Sequence, residues 1–127
     1  MKLLTHNMLA CHIKGVENGY PFRIEAEVVE RHAQDFDPDF LRHLWPRVRY
    51  DALRAGAAAL GVAEGLPEEV TDAMLAEDGG DEALLRRLHT ALLETHLEQG
   101  WLICPETGRR FRVEAGIPNL LLEDDEV

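Results

Sequence analysis

The sequence is poor in positive charge, in cysteine and in long apolar runs. Its 127 residues include 13 Lys and Arg against 24 Asp and Glu, which gives a formal net charge of −11. Affinity for a phosphate backbone comes from Lys and Arg that displace counterions, so we expect no direct nucleic acid binding. The same charge argues against an anionic membrane surface. Partners are therefore expected to be proteins or other basic molecules.

Cysteine is nearly absent, and Cys11 and Cys104 lie far apart in the sequence. Two such cysteines do not make the disulfide framework of a small secreted protein. The N-terminal segment meets the polar residues His6 and Asn7 before a signal-peptide core can form. No apolar run approaches the roughly 20 residues that a membrane-spanning helix needs. We expect a soluble intracellular protein.

Motifs of catalysis are also missing. The chain has no glycine-rich phosphate loop, no G-x-S-x-G segment and no dinucleotide-binding fingerprint. Its acidic clusters at 68–69 and 123–126 lack the paired, buried arrangement that general acid–base chemistry requires, so we interpret them as solvated charge. An enzyme interpretation therefore has no residue set on which to rest.

Strand patterns occur near both ends of the chain. Residues 22–28 alternate strictly between apolar and charged side chains, which predicts a half-buried strand. Its buried face is predicted to carry Phe22, Ile24, Ala26 and Val28. Residues 101–104 and 110–114 predict two further strands, the second with Phe111 and Val113 pointing inward.

Helix signals occupy the middle of the chain. Asp37 is a good N-cap before Pro38, and this first helix is expected to end or kink at Pro46. A second helix is predicted over residues 50–60, closed by Gly61.

A long helix is predicted over residues 82–99, capped by Asp81, and it would place His89 and His96 on one face. Strands at both ends around central helices predict an α+β fold. Its small antiparallel sheet would be formed by residues 1–34 and 100–127, with residues 35–99 as a helical insertion. A chain of 127 residues supports one such domain, or two small lobes with a common core.

Each cysteine ends an apolar stretch just before a turn, as the ligands of a zinc ribbon do. Such ribbons usually present two closely spaced cysteine pairs, whereas the neighbouring turn positions are Val16 and Thr107. Two thiolates fall short of four ligands, although His12 or His6 could add to them. We favour two buried thiols in a metal-free relic of a zinc site, with a Cys/His zinc site or a reactive thiol as alternatives.

Residues 117–122, called the edge segment below, are apolar and include Pro118. Proline cannot donate a ladder hydrogen bond, so this segment is expected at the edge of a sheet. An apolar edge is either covered by the chain's own helix or offered to a partner, and the sequence leaves both open. Adding a strand to a partner's sheet is an established mode of recognition.

Four segments together carry a family resemblance. They are residues 1–9 (Met-Lys-Leu-Leu-Thr-His-Asn-Met-Leu), 36–41 (Phe-Asp-Pro-Asp-Phe-Leu), 104–109 (Cys-Pro-Glu-Thr-Gly-Arg) and 116–122 (Gly-Ile-Pro-Asn-Leu-Leu-Leu). In this order the chain resembles, essentially from end to end, the eukaryotic multifunctional methyltransferase activator subunit. That family is the small partner shared by several tRNA, rRNA and protein methyltransferases.

The resemblance implies a zinc-ribbon-like domain made from both termini, with a helical insertion and a non-catalytic role. Family members activate and stabilise Rossmann-type methyltransferases, bound one at a time as heterodimers, which act on tRNA, rRNA and translation release factor. S-adenosylmethionine would be bound by the partner, and this chain would carry no cofactor of its own. Cytoplasmic and nuclear localisation is expected.

The resemblance also implies where the partner binds. The residues expected to face it are Ile117, Pro118, Asn119, Leu120, Leu121 and Leu122, with Thr5, His6 and Asn7 as weaker candidates. Fungal-type members hold zinc with four cysteines, whereas this chain keeps only Cys11 and Cys104, so no zinc is expected. The alternative is a stand-alone zinc-ribbon-like module that binds metal or RNA, against which the charge and the cysteine count argue.

Overall fold

A four-stranded antiparallel sheet packs against a set of short helices in a computed structural model that describes residues 1–127. The strands lie in the order of the sequence: β1 (Arg23–Arg31), β2 (Thr95–Ile103), β3 (Arg110–Glu114) and β4 (Ile117–Pro118). The helices are α1 (Leu3–Met8), α2 (Pro38–Leu44), α3 (Tyr50–Ala59) and α4 (Glu82–His89). Single turns of 3-10 helix occur at Trp45–Arg47, Asp72–Leu75 and Asp124–Glu126. The predicted α+β class is confirmed.

The predicted starts of α2 and α4 are correct, because each N-cap hydrogen bond joins residues only three apart in the sequence. The Asp37 carboxylate accepts a hydrogen bond from the Phe40 amide at 3.0 Å, and Asp81 caps α4 in the same way through the Leu84 amide at 3.0 Å. Each bond satisfies one of the amides that the first turn of a helix leaves free. Helix α2 ends directly before the turn that contains Pro46, as predicted.

The predicted long helix is wrong over its last third. Helix α4 ends at His89, passes into a π-helical turn at Thr90–Glu94, and gives way to β2 at Thr95. His96 therefore lies on a strand and shares no helix face with His89. The cause is tertiary: β1 pairs antiparallel with β2 along nearly its whole length, from Arg23 opposite Ile103 to Arg31 opposite Thr95.

The predicted buried face of the first strand is only partly correct. Phe22 is buried and Ile24 is half-buried, but Ala26 and Val28 are exposed. The pairing register with β2 shifts on both sides of Val28, and such a bulge breaks the two-residue alternation of side chains. The strands also approach closely at this point, because a Cβ on Gly100 would lie 2.3 Å from the carbonyl oxygen of Glu25.

The N-terminus joins the same sheet. The Met1 ammonium donates to the carbonyl oxygen of Leu97 at 2.8 Å, and the Leu97 amide donates back to Met1 at 2.8 Å. Lys2 forms a bridge with His96. Strand β2 is thus flanked by β1 on one side, and on the other side by the chain start along its first half and by β3 along its second half.

One hydrophobic core unites the helices and the sheet. A cluster of 21 buried residues takes Leu53 from α3, Leu88 from α4, Leu102 from β2 and Phe111 from β3. The inward orientation predicted for Phe111 and Val113 is confirmed. No helix is both long enough and apolar enough to cross a membrane.

Candidate docking surface

The edge segment begins as the outermost strand of the sheet. Ile117 and Pro118 pair with Glu114 and Val113 of β3, and no strand lies on their other side. The Asn119 amide continues the pairing by donating to the carbonyl oxygen of Arg112 at 2.9 Å. The structure thus places Pro118 at a sheet edge. Proline is tolerated there because no neighbouring strand requires a hydrogen bond from its missing N–H.

The apolar side chains of the edge segment divide into two sets. Leu120 and Leu122 are half-buried and pack against the core. Ile117 and Leu121 are 70% and 80% exposed. The two possibilities that the sequence left open are therefore both realised: one set is covered by the chain itself, and the other set faces solvent.

The far end of the edge segment is anchored. The Glu126 carboxylate accepts from the Arg109 guanidinium at 2.9 Å, and this bond holds the pKa of Glu126 below its usual value. The Lys14 amide donates to the Glu126 carbonyl oxygen at 2.7 Å. The segment is therefore tethered at both ends, by β3 and by this ion pair.

The three N-terminal candidates are not equivalent. Thr5 is exposed, whereas His6 and Asn7 are buried. The His6 imidazole Nε2 lies 2.7 Å from the Phe22 carbonyl oxygen. Asn7 accepts from the Arg49 amide and donates to the Arg49 carbonyl oxygen, both at 2.9 Å. These two side chains fasten α1 to neighbouring segments and face away from solvent.

An exposed apolar residue on α1 was missed from the sequence. Met8 is 49% exposed. The spacing of Leu3, His6 and Asn7 is the i, i+3, i+4 pattern of the buried face of a helix, and it could have shown that Thr5 and Met8 point outward. The chain start also lies near the turn into β4, because a Cβ on Gly116 would be 3.1 Å from the Met1 nitrogen.

The two cysteines lie near each other at one end of the sheet. Both are free and buried, and each thiol is close enough to the other to influence its pKa. Burial raises the pKa of Cys11. Burial also opposes ionisation of Cys104, but hydrogen bonds from the Thr107 side chain and backbone outweigh it and lower the pKa of Cys104.

The residues around the thiols do not fit a structural zinc ion, which requires four ligands. No third His, Cys, Asp or Glu forms a metal-holding group with them. His12 is exposed, and His6 is engaged with Phe22. Val16 packs against the core, and the Thr107 hydroxyl accepts from the Arg109 amide at 3.2 Å.

Together, the helix-backed sheet and its tethered apolar edge define a small α+β domain suited to docking on another protein. The chain belongs to the Trm112p-like family, whose model matches residues 2–116. The family resemblance drawn from the four sequence segments is thereby confirmed.

The chain is similar to proteins named as methyltransferase subunits. It is 55% identical over 127 residues to the multifunctional methyltransferase subunit TRM112 homolog A of Arabidopsis thaliana, with 100% of both chains covered. It is 42% identical over 127 residues to the TRM112-like methyltransferase subunit of Mus musculus, covering 99% of this chain and 98% of that one.

A solved structure has the same fold. It is a chain from the E. cuniculi Mtq2–Trm112 complex, which is described as responsible for methylation of the translation termination factor eRF1. The TM-score is 0.61 at 17% sequence identity, with 95% of each chain covered.

Proposed function

We propose that this chain is a non-catalytic subunit that docks on Rossmann-type, S-adenosylmethionine-dependent methyltransferases and keeps them stable and active. Membership of the Trm112p-like family and the names of its relatives support this proposal. The observation that carries it is the exposure of Ile117 on the open sheet edge and of Leu121 just beyond that edge. Partners would act on tRNA, rRNA or a release factor, and eRF1 methylation by the E. cuniculi complex supports the last class.

The proposed contact is strand addition at β4. The open edge offers backbone groups to a partner strand, while Ile117 and Leu121 insert into an apolar patch. Because Leu120 and Leu122 already pack on the core, the edge segment loses little conformational freedom on binding. Thr5 and Met8 are exposed on α1 and would extend the contact. A standard interface buries about 800 Å² on each partner.

Activation would follow because binding of the subunit is thermodynamically linked to folding of the methyltransferase. A methyltransferase with an uncovered apolar edge is prone to unfold or aggregate, and a subunit that binds only its folded state shifts that equilibrium. The free energy of unfolding of the methyltransferase rises by about 2.7 kcal/mol when the free subunit is at 100 times its Kd. S-adenosylmethionine would stay with the partner, and several methyltransferases would share the same edge one at a time.

Partners that act on rRNA and on a release factor would require the chain in both nucleus and cytoplasm. We therefore propose both locations. Fluorescent fusions of the full-length chain are expected in both compartments, and confinement to one would restrict the set of partners.

The test is to replace Ile117 and Leu121 with Asp and to co-express the variant with a methyltransferase of the proposed class. We expect co-purification to be lost, because each change places an unpaired charge in an apolar contact. Both side chains are largely exposed, so the isolated variant should keep the circular dichroism spectrum and the Tm of the wild type.

Val28→Asp is the matched control. Val28 is an exposed apolar residue on β1, at the opposite end of the strand order. Its substitution should leave the complex intact. If the Ile117/Leu121 variant co-purifies as fully as the wild type, the edge segment does not carry the contact, and loss of the complex with Val28→Asp alone would assign it to β1.

A further inference from the structure

Two histidines and a glutamate meet on β2 and just after β1, outside the docking surface and the cysteine pair. His96 and Glu98 are two residues apart on β2, at the register shift opposite Val28 and Val29. His32 follows the last residue of β1, and its amide donates to the Glu94 carbonyl oxygen at 2.8 Å. A nitrogen of each imidazole and a Glu98 carboxylate oxygen all lie within 4.8 Å of one another.

The distances within this cluster resemble those between ligands of one metal ion. The imidazole rings of His32 and His96 are 4.1 Å apart between centroids. His32 Nε2 lies 3.8 Å from Glu98 Oε1 and is hydrogen-bonded to Glu30 Oε2 at 3.0 Å. Ligand atoms that bind one zinc ion at tetrahedral geometry are about 3.4 Å apart, and the distance between His32 and Glu98 is close to that value.

An independent observation points to a missing ligand. Nε2 of His96 is buried and has no hydrogen-bond partner. Leaving a buried polar atom unpaired is costly, and in the tautomer that carries its hydrogen on Nδ1 this nitrogen offers a lone pair. Coordination of a cation would satisfy it.

We propose that His32, His96 and Glu98 bind a divalent transition-metal ion of the Zn²⁺ class. Imidazole nitrogens with a carboxylate oxygen suit Zn²⁺, Cu²⁺ and Ni²⁺ better than Ca²⁺ or Mg²⁺. The Glu98 carboxylate offsets part of the charge of the ion. The nearby Met1 ammonium is directed to the Leu97 carbonyl oxygen, so it does not occupy the cluster.

This site is distinct from the position of the cysteine pair. Eight residues of extended chain separate His96 from Cys104, which at the strand rise of about 3.3 Å per residue places them about 26 Å apart. A bound ion would tie the segment after β1 to β2. The inference is independent of the methyltransferase partnership.

The test uses the full-length chain, freed of metal by chelation, with Zn²⁺ added in an isothermal titration. We expect one ion per chain. His32→Ala and Glu98→Gln should each weaken binding by about 100-fold, since even groups that only support a ligand contribute 10- to 100-fold. His43→Ala removes an exposed histidine on α2 that lies outside the cluster and should leave affinity unchanged.

Titration with Co²⁺ then identifies the donors. Histidine and carboxylate ligands give visible d–d absorption without the near-ultraviolet band of a cobalt–thiolate bond. Absence of Zn²⁺ binding to the wild type would overturn the proposal. So would a thiolate band, or full affinity in both the His32 and the Glu98 variants, because the ion would then be bound elsewhere.

Discussion

A buried histidine shows how much a single side chain contributes to this structure. His6 is 1% exposed, and its Nε2 hydrogen acts as the donor to the Phe22 carbonyl oxygen at 2.7 Å. Its other ring nitrogen, Nδ1, is buried without a partner. Burial lowers the pKa of His6, and the hydrogen bond to Phe22 only partly opposes this. The imidazole is therefore held neutral in the folded protein.

We predict that acidification destabilises the fold partly through His6. Its folded-state pKa lies below the unfolded value of about 6.5. The stabilisation is therefore complete above that value and is lost as the pH falls towards the folded-state pKa. Urea unfolding at a series of pH values from about 7.5 to about 5 should show the free energy of unfolding decreasing.

His6→Gln is the control for this pH dependence. Glutamine keeps an N–H that can donate to Phe22 but takes up no proton, so its stability should decrease less on acidification. An identical decrease in both proteins would show that His6 does not contribute to the pH dependence.

Some features of single residues were predictable from the sequence, and others were not. The apolar stretches that end at Cys11 and Cys104 correctly suggested that both thiols are buried, because this pattern is local. The burial of His6 and Asn7 was not foreseen. Their hydrogen bonds reach Phe22 and Arg49, and no local pattern encodes such distant partners.

At the scale of elements, the helices depend on their caps. We predict that Asp37→Ala destabilises the protein by about 1 kcal/mol, because the Phe40 amide loses its acceptor at the start of α2. Chemical denaturation measures the change. Asp35→Ala removes an exposed acidic residue of the same segment and should change stability by less than about 0.5 kcal/mol. Equal losses in the two variants would mean that net charge, and not capping, is responsible.

Strand pairing explains why the helix predicted over residues 82–99 is wrong over its last third. Leu85, Leu88 and Leu92 continue a helical apolar stripe, and nothing in the next residues signals a stop. Yet a strand begins at Thr95, because this residue pairs with Arg31 of β1. That partner is 64 residues away in the sequence, so no local pattern reveals it. Local propensity is a weak prior, and a long-range strand pairing overrides it.

At the scale of the whole molecule, the charge argues against the alternative of an RNA-binding ribbon. The net charge is −11, and arginines on the sheet are already paired. Arg110 binds Glu25 and Arg112 binds Glu27, and both arginines stack on the Trp101 ring. These two arginines are therefore not free to displace counterions from a phosphate backbone.

We predict that the isolated chain shows no salt-dependent affinity for tRNA. Filter binding at low and high salt should give no measurable slope in a plot of the logarithm of the binding constant against the logarithm of the salt concentration. That slope reports the number of phosphates that a protein neutralises. A complex with a tRNA methyltransferase is the positive control. Tight, salt-sensitive binding by the chain alone would favour the RNA-binding module.

The general layout of the molecule was predictable, since strands near both ends and helices between them were visible as patterns. The membership of the common core was not, because it joins residues of α3, α4, β2 and β3 through contacts between distant segments. The candidate surface was predicted as a segment, but its division into covered and exposed side chains required the structure.

The pairing of β1 with β2 has a consequence for synthesis on the ribosome. Strand β1 leaves the exit tunnel about 70 residues before its partner, and closing so long a loop is slow compared with local helix formation. The edge segment follows β2 and β3 along the chain. A chain released before residue 95 would therefore lack its folded sheet, and a chain released before residue 117 would still lack the edge segment that the proposed partner contacts.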